Sequence, residues 1–89
     1  MAWRIKFTKS AEAELDKLDK PIKQRVSRFL DRVITLPSPR VNGDALEGPL
    51  SEFWRYRVGD YRIVCRIEDD VLVVLVVKIG HRREVYKLR

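Results

Sequence analysis

The sequence predicts an α+β domain ordered β-α-α-β-β-β, with an N-terminal helical hairpin packed on one face of a small, antiparallel-rich twisted sheet. Three observations carry this. Trp3, Ile5 and Phe7 alternate with Arg4, Lys6 and Thr8, the period of a half-buried strand. The segment 10–33 then places apolar residues at helical spacing. From Trp54 onward the period returns to two, around a Gly59-Asp60 pair suited to a two-residue hairpin turn.

Each element has a local cause. Thr8 or Ser10 can cap the first helix, in which Ala11, Leu15 and Leu18 share a face. Asp19 and Pro21 mark a second start, because proline is tolerated in a first turn. Ile22, Val26, Phe29, Leu30 and Val33 form the apolar stripe of that second helix, with Lys23, Arg25, Arg28 and Arg32 largely off it. The prolines of PSPR end it. The segment 37–51 reads as a long, turn-rich connection anchored into the core by Leu46 and Leu50.

A type II′ turn at Gly59-Asp60 sets Val58 opposite Tyr61, Arg57 opposite Arg62, Tyr56 opposite Ile63 and Arg55 opposite Val64. Trp54, Tyr56, Val58, Tyr61, Ile63, Cys65 and Ile67 then share one face. Arg55, Arg57, Arg62, Val64 and Arg66 share the other, and a one-residue slip would bury the arginines. Glu68-Asp69-Asp70 reads as the next tight connection. Val71 to Ile79 reads as a central strand covered on both sides and broken by Gly80. The first strand is expected beside this last one.

Length and composition bound the function. With 89 residues the expectation is one domain, 1–89. A net charge of +6, from 19 Lys and Arg against 13 Asp and Glu, points to an anionic partner. One cysteine and one histidine cannot build a tetrahedral metal site unaided, so no metal and no cofactor are expected. MAWRIKFTKS lacks the apolar stretch of a signal peptide, and VLVVLVVKIG is too short to span a bilayer. A cytoplasmic protein without membrane attachment is the expectation.

The chemistry concentrates on the arginine face. The third strand of the meander returns Gly80, His81 and Arg82 towards Arg57 and Arg62, so guanidinium groups are expected to converge with one imidazole and the phenol of Tyr86. Guanidinium forks match phosphate oxygens in pairs and stay charged. A solvated face is the plain alternative, but such faces mix signs. No acid interleaves with Arg55, Arg57, Arg62 and Arg66 on that face. RNA brings its own nucleophile, the 2′-OH, so the protein needs charge stabilisation plus an acid and a base. Tyr86, with its pKa lowered by nearby cations, and His81 are both candidates for that proton transfer.

ALEG, FWRYRVGDYRIVCRI and IGHRREVY, taken together, resemble the RelE/ParE toxin superfamily, specifically its RelE-like branch, over nearly the whole chain. The resemblance implies the toxin of a type II toxin–antitoxin system. It implies a ribosome-dependent mRNA endonuclease that occupies the ribosomal A site and cuts mRNA by 2′-OH attack without a metal. By the same resemblance Arg55 and Arg57 stabilise the transition state, and Arg62 contacts the scissile phosphate. Arg82 binds phosphate or acts as general acid, and Tyr86 is the general base. Arg66 and Arg83 are expected RNA contacts. Members of the family often carry lysine where this chain has Arg55 and Arg57, and lysine where it has His81. The implied partners are a cognate antitoxin that covers the basic surface, mRNA, and promoter DNA only through the antitoxin. Two alternatives stay open: a ParE-like toxin that inhibits DNA gyrase, and a non-catalytic degenerate toxin acting as a regulator with its antitoxin.

Overall fold

A computed structural model describes residues 2–85. The strands are β1 (Arg4–Phe7), β2 (Asp44–Ala45), β3 (Trp54–Val58), β4 (Tyr61–Glu68) and β5 (Val73–His81). The helices are α1 (Lys9–Asp16) and α2 (Lys20–Val33). The five strands form one mixed sheet in the order β1-β5-β4-β3-β2. Only the β1–β5 pairing is parallel. The α+β class, the helical hairpin and the place of the first strand beside the last all hold.

Local chemistry explains the helices. The Thr8 hydroxyl accepts the Ala11 N–H at 3.1 Å and caps α1, while Ser10 falls inside the helix. Proline near the start of α2 and Asp19 before it mark its N-terminus, although Asp19 makes no capping bond. Ala11, Val26, Leu30 and Val33 press on Tyr56, Val58, Ile63, Cys65, Val74, Val76 and Ile79 from the sheet. Full burial of each large apolar side chain contributes about 1.5–3 kcal/mol. Glu14 of α1 closes a gap in the sheet. Past the end of β1, its carboxylate accepts the Ile79 N–H at 2.9 Å and pairs with Lys78 at 2.9 Å.

The structure departs from the sequence reading in four places. The connection after α2 contains β2, which pairs Asp44 with Arg55 and Ala45 with Trp54, so the sheet has a fifth strand. Two residues are too short to show alternation in a sequence. Leu46 and Leu50 do anchor this segment, but in a second cluster with Val64, Val85, Phe53 and Val77. Val64 alternates with the core-facing Ile63 and Cys65, so this cluster lies on the arginine side of the sheet.

The third departure is the start of β5, which begins at Val73 because Glu68 pairs with Val73 and residues 69–72 are needed to turn the chain. Val71 is therefore 52% exposed, and Leu72 takes a φ of 55°. Fourth, Gly80 does not break β5: it pairs with Arg62, and the ladder continues to Tyr61 opposite His81. A bulge between Val64 and Cys65 also shifts the β4–β5 register, so Val77 has no direct partner.

The long connection is strapped down along its length. The Tyr56 hydroxyl donates to the Pro39 carbonyl. The Arg40 guanidinium forks onto Asp69 at 2.8 and 3.0 Å. Trp54 Nε1 donates to the Asn42 carbonyl at 2.8 Å. Gly43 sits under these ties with φ +84°, where a Cβ would stand 2.4 Å from the Arg55 carbonyl oxygen and 2.6 Å from Trp54 Nε1. Gly43→Ala is therefore expected to destabilise the fold by about 2 kcal/mol or more. That lowers the melting temperature by about 8–16 °C in a domain of this size. Gly48→Ala, with φ +65° but nothing within 4 Å, should cost about 1 kcal/mol. Thermal melts of the two variants check the contrast.

Candidate nucleic-acid interface

The β3–β4 hairpin sets the geometry. Gly59 has φ +58° and Asp60 is not left-handed, which fits a type II′ turn. The pairs Val58–Tyr61, Arg57–Arg62, Tyr56–Ile63 and Arg55–Val64 form as the sequence predicts. Across a two-residue loop the closing pair exchanges hydrogen bonds, so the next pair does not and its Cα atoms approach to about 4.5 Å. Arg57 and Arg62 occupy that close pair. Like charges set directly opposite destabilise a strand pair.

The arginines fall into two groups. Arg55 is held: its Nε and Nη2 grip the two carboxylate oxygens of Asp44, its partner across β2, at 3.0 and 2.5 Å. Its side chain is only 19% exposed. The fork onto Arg55 holds the Asp44 carboxyl below the usual carboxylate range. Arg66 pairs with Glu52 at 3.0 Å. Acids from the connecting segment thus do meet this face, contrary to the sequence reading. The reason is tertiary: both carboxylates arrive from the strapped connection and not from the hairpin.

The second group is less fully neutralised. Arg57 is exposed and makes no hydrogen bond or ion pair among the described residues. The Arg62 guanidinium folds over the turn, with Nη1 donating to the Gly59 and Tyr61 carbonyls at 3.0 Å each. The end of β5 is pinned beside this turn, where the Arg82 N–H donates to the Asp60 carbonyl at 2.8 Å. Arg82 Nε lies 4.0 Å from Asp60 Oδ1. Arg62 and Arg82 therefore gather around the hairpin end, with guanidinium donors able to meet phosphate oxygens, and Arg57 lines the neighbouring groove with Asn42, Gly43 and Asp44.

His81 does not join them. It pairs with Tyr61, on the pleat that sends Ile63 and Cys65 into the helix-side core. The two rings meet edge-on with centroids 5.6 Å apart. Its Nδ1 accepts the Arg83 N–H at 3.2 Å, and Arg83 itself is exposed. The expected convergence of imidazole with the arginine face fails because strand pleating sends consecutive residues Gly80 and His81 to opposite sides. Tyr86 lies outside the described residues. Val85, just before it in sequence, is buried against Val64 and Leu46 on the arginine side. Tyr56 and Cys65 are buried and their pKa values are pushed up by that burial, so neither ionises readily.

Sequence reasoning missed Asp44 and Glu52. The Asn42-Gly43 turn dipeptide just before Asp44 was the available signal for an added edge strand.

The domain thus combines two helices and a five-stranded mixed sheet with arginines along one sheet face. The model of the ParE toxin family, described as the ParE toxin of the type II toxin–antitoxin system parDE, matches residues 5–86. The chain is 30% identical to the toxin RelG of Mycobacterium tuberculosis over 87 residues, covering 98% of this chain and 99% of that one. It is 33% identical to the mRNA interferase toxin RelE of Escherichia coli, covering 97% and 92%. The toxin–antitoxin complex RelBE2 of M. tuberculosis contains a chain that superposes with a TM-score of 0.82 at 28% identity, over 92% of this chain and 93% of that one. The protein belongs to the ParE toxin family and is a type II toxin of the RelE/ParE superfamily, similar to its RelE-named members.

The Asp44–Arg55 fork makes a pH prediction. The Asp44 pKa is lowered in the folded protein. Its contribution is therefore present above the unfolded value near 3.8 and is lost as pH falls through the lower folded value. Asp44→Asn should lower the melting temperature at neutral pH, and the gap from the parent should close as pH falls below the unfolded value. Paired melts across that range measure it; a gap that stays constant with pH would show that the ionised fork contributes no stability.

Proposed function

We propose that this toxin is a ribosome-dependent mRNA endonuclease that arrests translation. The RNA 2′-OH loses its proton to a base and attacks the adjacent phosphate. The bond to the 5′-oxygen breaks, that oxygen leaves as a 5′-hydroxyl on taking up a proton, and a 2′,3′-cyclic phosphate remains. The observation that carries the reading is the directly opposed Arg57–Arg62 pair beside the Arg82 segment, neither member of the pair in an ion pair among the described residues. A phosphate between them relieves their repulsion. As charge builds on the phosphoryl oxygens, fixed guanidinium donors stabilise it. The nucleophile belongs to the substrate, so the protein must supply proton transfer and electrostatics, and the proposed steps require no metal. Similarity to proteins named mRNA interferases supports the same direction.

In this reading Arg57 and Arg62 hold the scissile phosphate, and Arg82 adds charge or a proton donor's positioning. Arg55, tied to Asp44, shapes the site and orients β2. Tyr86 is the proposed general base. His81, on the other pleat, serves as a base only if the bound RNA reaches round the sheet's end. Arg66 and Arg83 are proposed as outer RNA contacts. The partner is a cognate antitoxin with an acidic, amphipathic segment that lies over the basic surface. Solved complexes of relatives with RelB antitoxins support such a partner, and promoter DNA enters only through the antitoxin. The cytoplasm is the proposed location; no described helix is long and apolar enough to cross a membrane.

A gyrase-directed toxin is the second reading, favoured by the ParE description of the matching family model. Mapping RNA 5′ ends shortly after induction separates the two. Codon-positioned cuts that vanish in Arg62→Ala and in a Tyr86→Phe control are expected, with the Arg62 change slowing cleavage about 10²–10³-fold. Growth arrest with DNA-damage signalling and intact mRNA would overturn the nuclease reading in favour of the second.

A further inference from the structure

The turn that follows β5 is capped by His81. The His81 carbonyl accepts the Glu84 N–H at 2.8 Å and the Val85 N–H at 2.9 Å. Its Nδ1 accepts the Arg83 N–H at 3.2 Å. A backbone oxygen that takes the third and fourth N–H groups ahead, with a side chain that takes the second, is the geometry of an N-cap. Histidine is an unusual residue there, since asparagine, aspartate and serine lead at such positions. A ring nitrogen that accepts carries no proton, so the imidazole is neutral in this arrangement and Nε2 holds the proton.

The ring and the turn are both held. Tyr61, the cross-strand partner of His81, meets the imidazole edge-on with centroids 5.6 Å apart. On one flank of the turn the Arg82 N–H donates to the Asp60 carbonyl at 2.8 Å. On the other, Val85 is buried against Val64 and Leu46. A Cβ added at Gly80 would stand 3.6 Å from the Val85 Cβ, so the turn folds back onto the end of β5. Between these anchors the Arg83 N–H depends on the imidazole for its bond.

We propose that His81 is a positioning residue: its neutral imidazole caps the turn after β5 and so fixes Arg82 beside Arg62 at the hairpin end. The inference rests on the nuclease reading above, and it gives His81 a part in that site without any contact with RNA. An acid–base role asks the ring to gain and lose a proton at the substrate, whereas Nδ1 is engaged by Arg83. A packing role asks only for a ring edge against Tyr61. Substitution separates these roles. Phenylalanine keeps a ring and has no acceptor, and asparagine keeps an acceptor and has no ring.

The test pairs ribosome-dependent cleavage of an mRNA with amide hydrogen exchange at Arg83, both on the full chain. His81→Phe is expected to speed Arg83 exchange and to lower kcat about 5-fold, the loss of one cap, with KM little changed. His81→Asn is expected to stay within about 2-fold of the parent in both measurements. His81→Lys, which also offers no acceptor, repeats the loss should the Phe variant fold poorly. Cleavage retained by the Phe variant and lost by the Asn variant would make the ring a packing element and overturn the proposal. Cleavage lost in both would make the imidazole a proton carrier and overturn it as well. So would Arg83 exchange in the Phe and Lys variants equal to the parent's. A parent that cuts no mRNA, with exchange faster in the Phe variant and restored in the Asn variant, would remove the nuclease reading and leave the cap standing.

Discussion

The register of the β3–β4 hairpin is the constraint from which the rest follows. Gly59 supplies the left-handed residue that a tight turn needs, and the turn sets which residue faces which. With period two along each strand, that single choice sends Tyr56, Val58, Ile63 and Cys65 to the helices and the arginines to the open face. A shift by one residue would exchange the two sets. The buried side chains hold the register, and the register holds the cations close against their mutual repulsion. Stability on one face of the sheet thus sustains electrostatic tension on the other.

That tension is distributed unevenly. Arg55 and Arg66 meet carboxylates from the connecting segment, whereas Arg57 and Arg62 at the turn do not. Towards the β2 edge the face behaves as structure: a forked ion pair and a small apolar cluster of Leu46, Val64 and Val85. Towards the hairpin end it is less neutralised, and Arg62 rests on turn carbonyls. One strand face therefore combines a neutralised half and a less neutralised half, and the bonds of each arginine distinguish them better than its place in the pattern.

The connection after α2 joins these halves. Its ties to Tyr56, Asp69 and Trp54 run from the core to the far turn of the sheet. The Arg40–Asp69 fork lowers the Asp69 pKa in the same sense as its counterpart at Asp44. A segment with little secondary structure is ordered by side-chain bonds, and it delivers Asp44 to Arg55 as a consequence.

What the amino-acid order determined by itself was local or periodic. Helix starts at Thr8 and Asp19, the apolar stripe of α2, the hairpin turn and the four cross-strand pairs nearest it were legible, because each depends on neighbours or on a fixed repeat. Motifs spread along the chain were enough to suggest its superfamily. Only the tertiary structure decided which arginines are neutralised, that a second apolar cluster covers part of their face, and that His81 sits on the opposite pleat. Asp44 lies 11 residues from Arg55 in a two-residue strand, and no repeat in the sequence announces such a contact. Charge pairing between distant segments is settled by where the connecting chain is strapped, which becomes defined only once the core has formed.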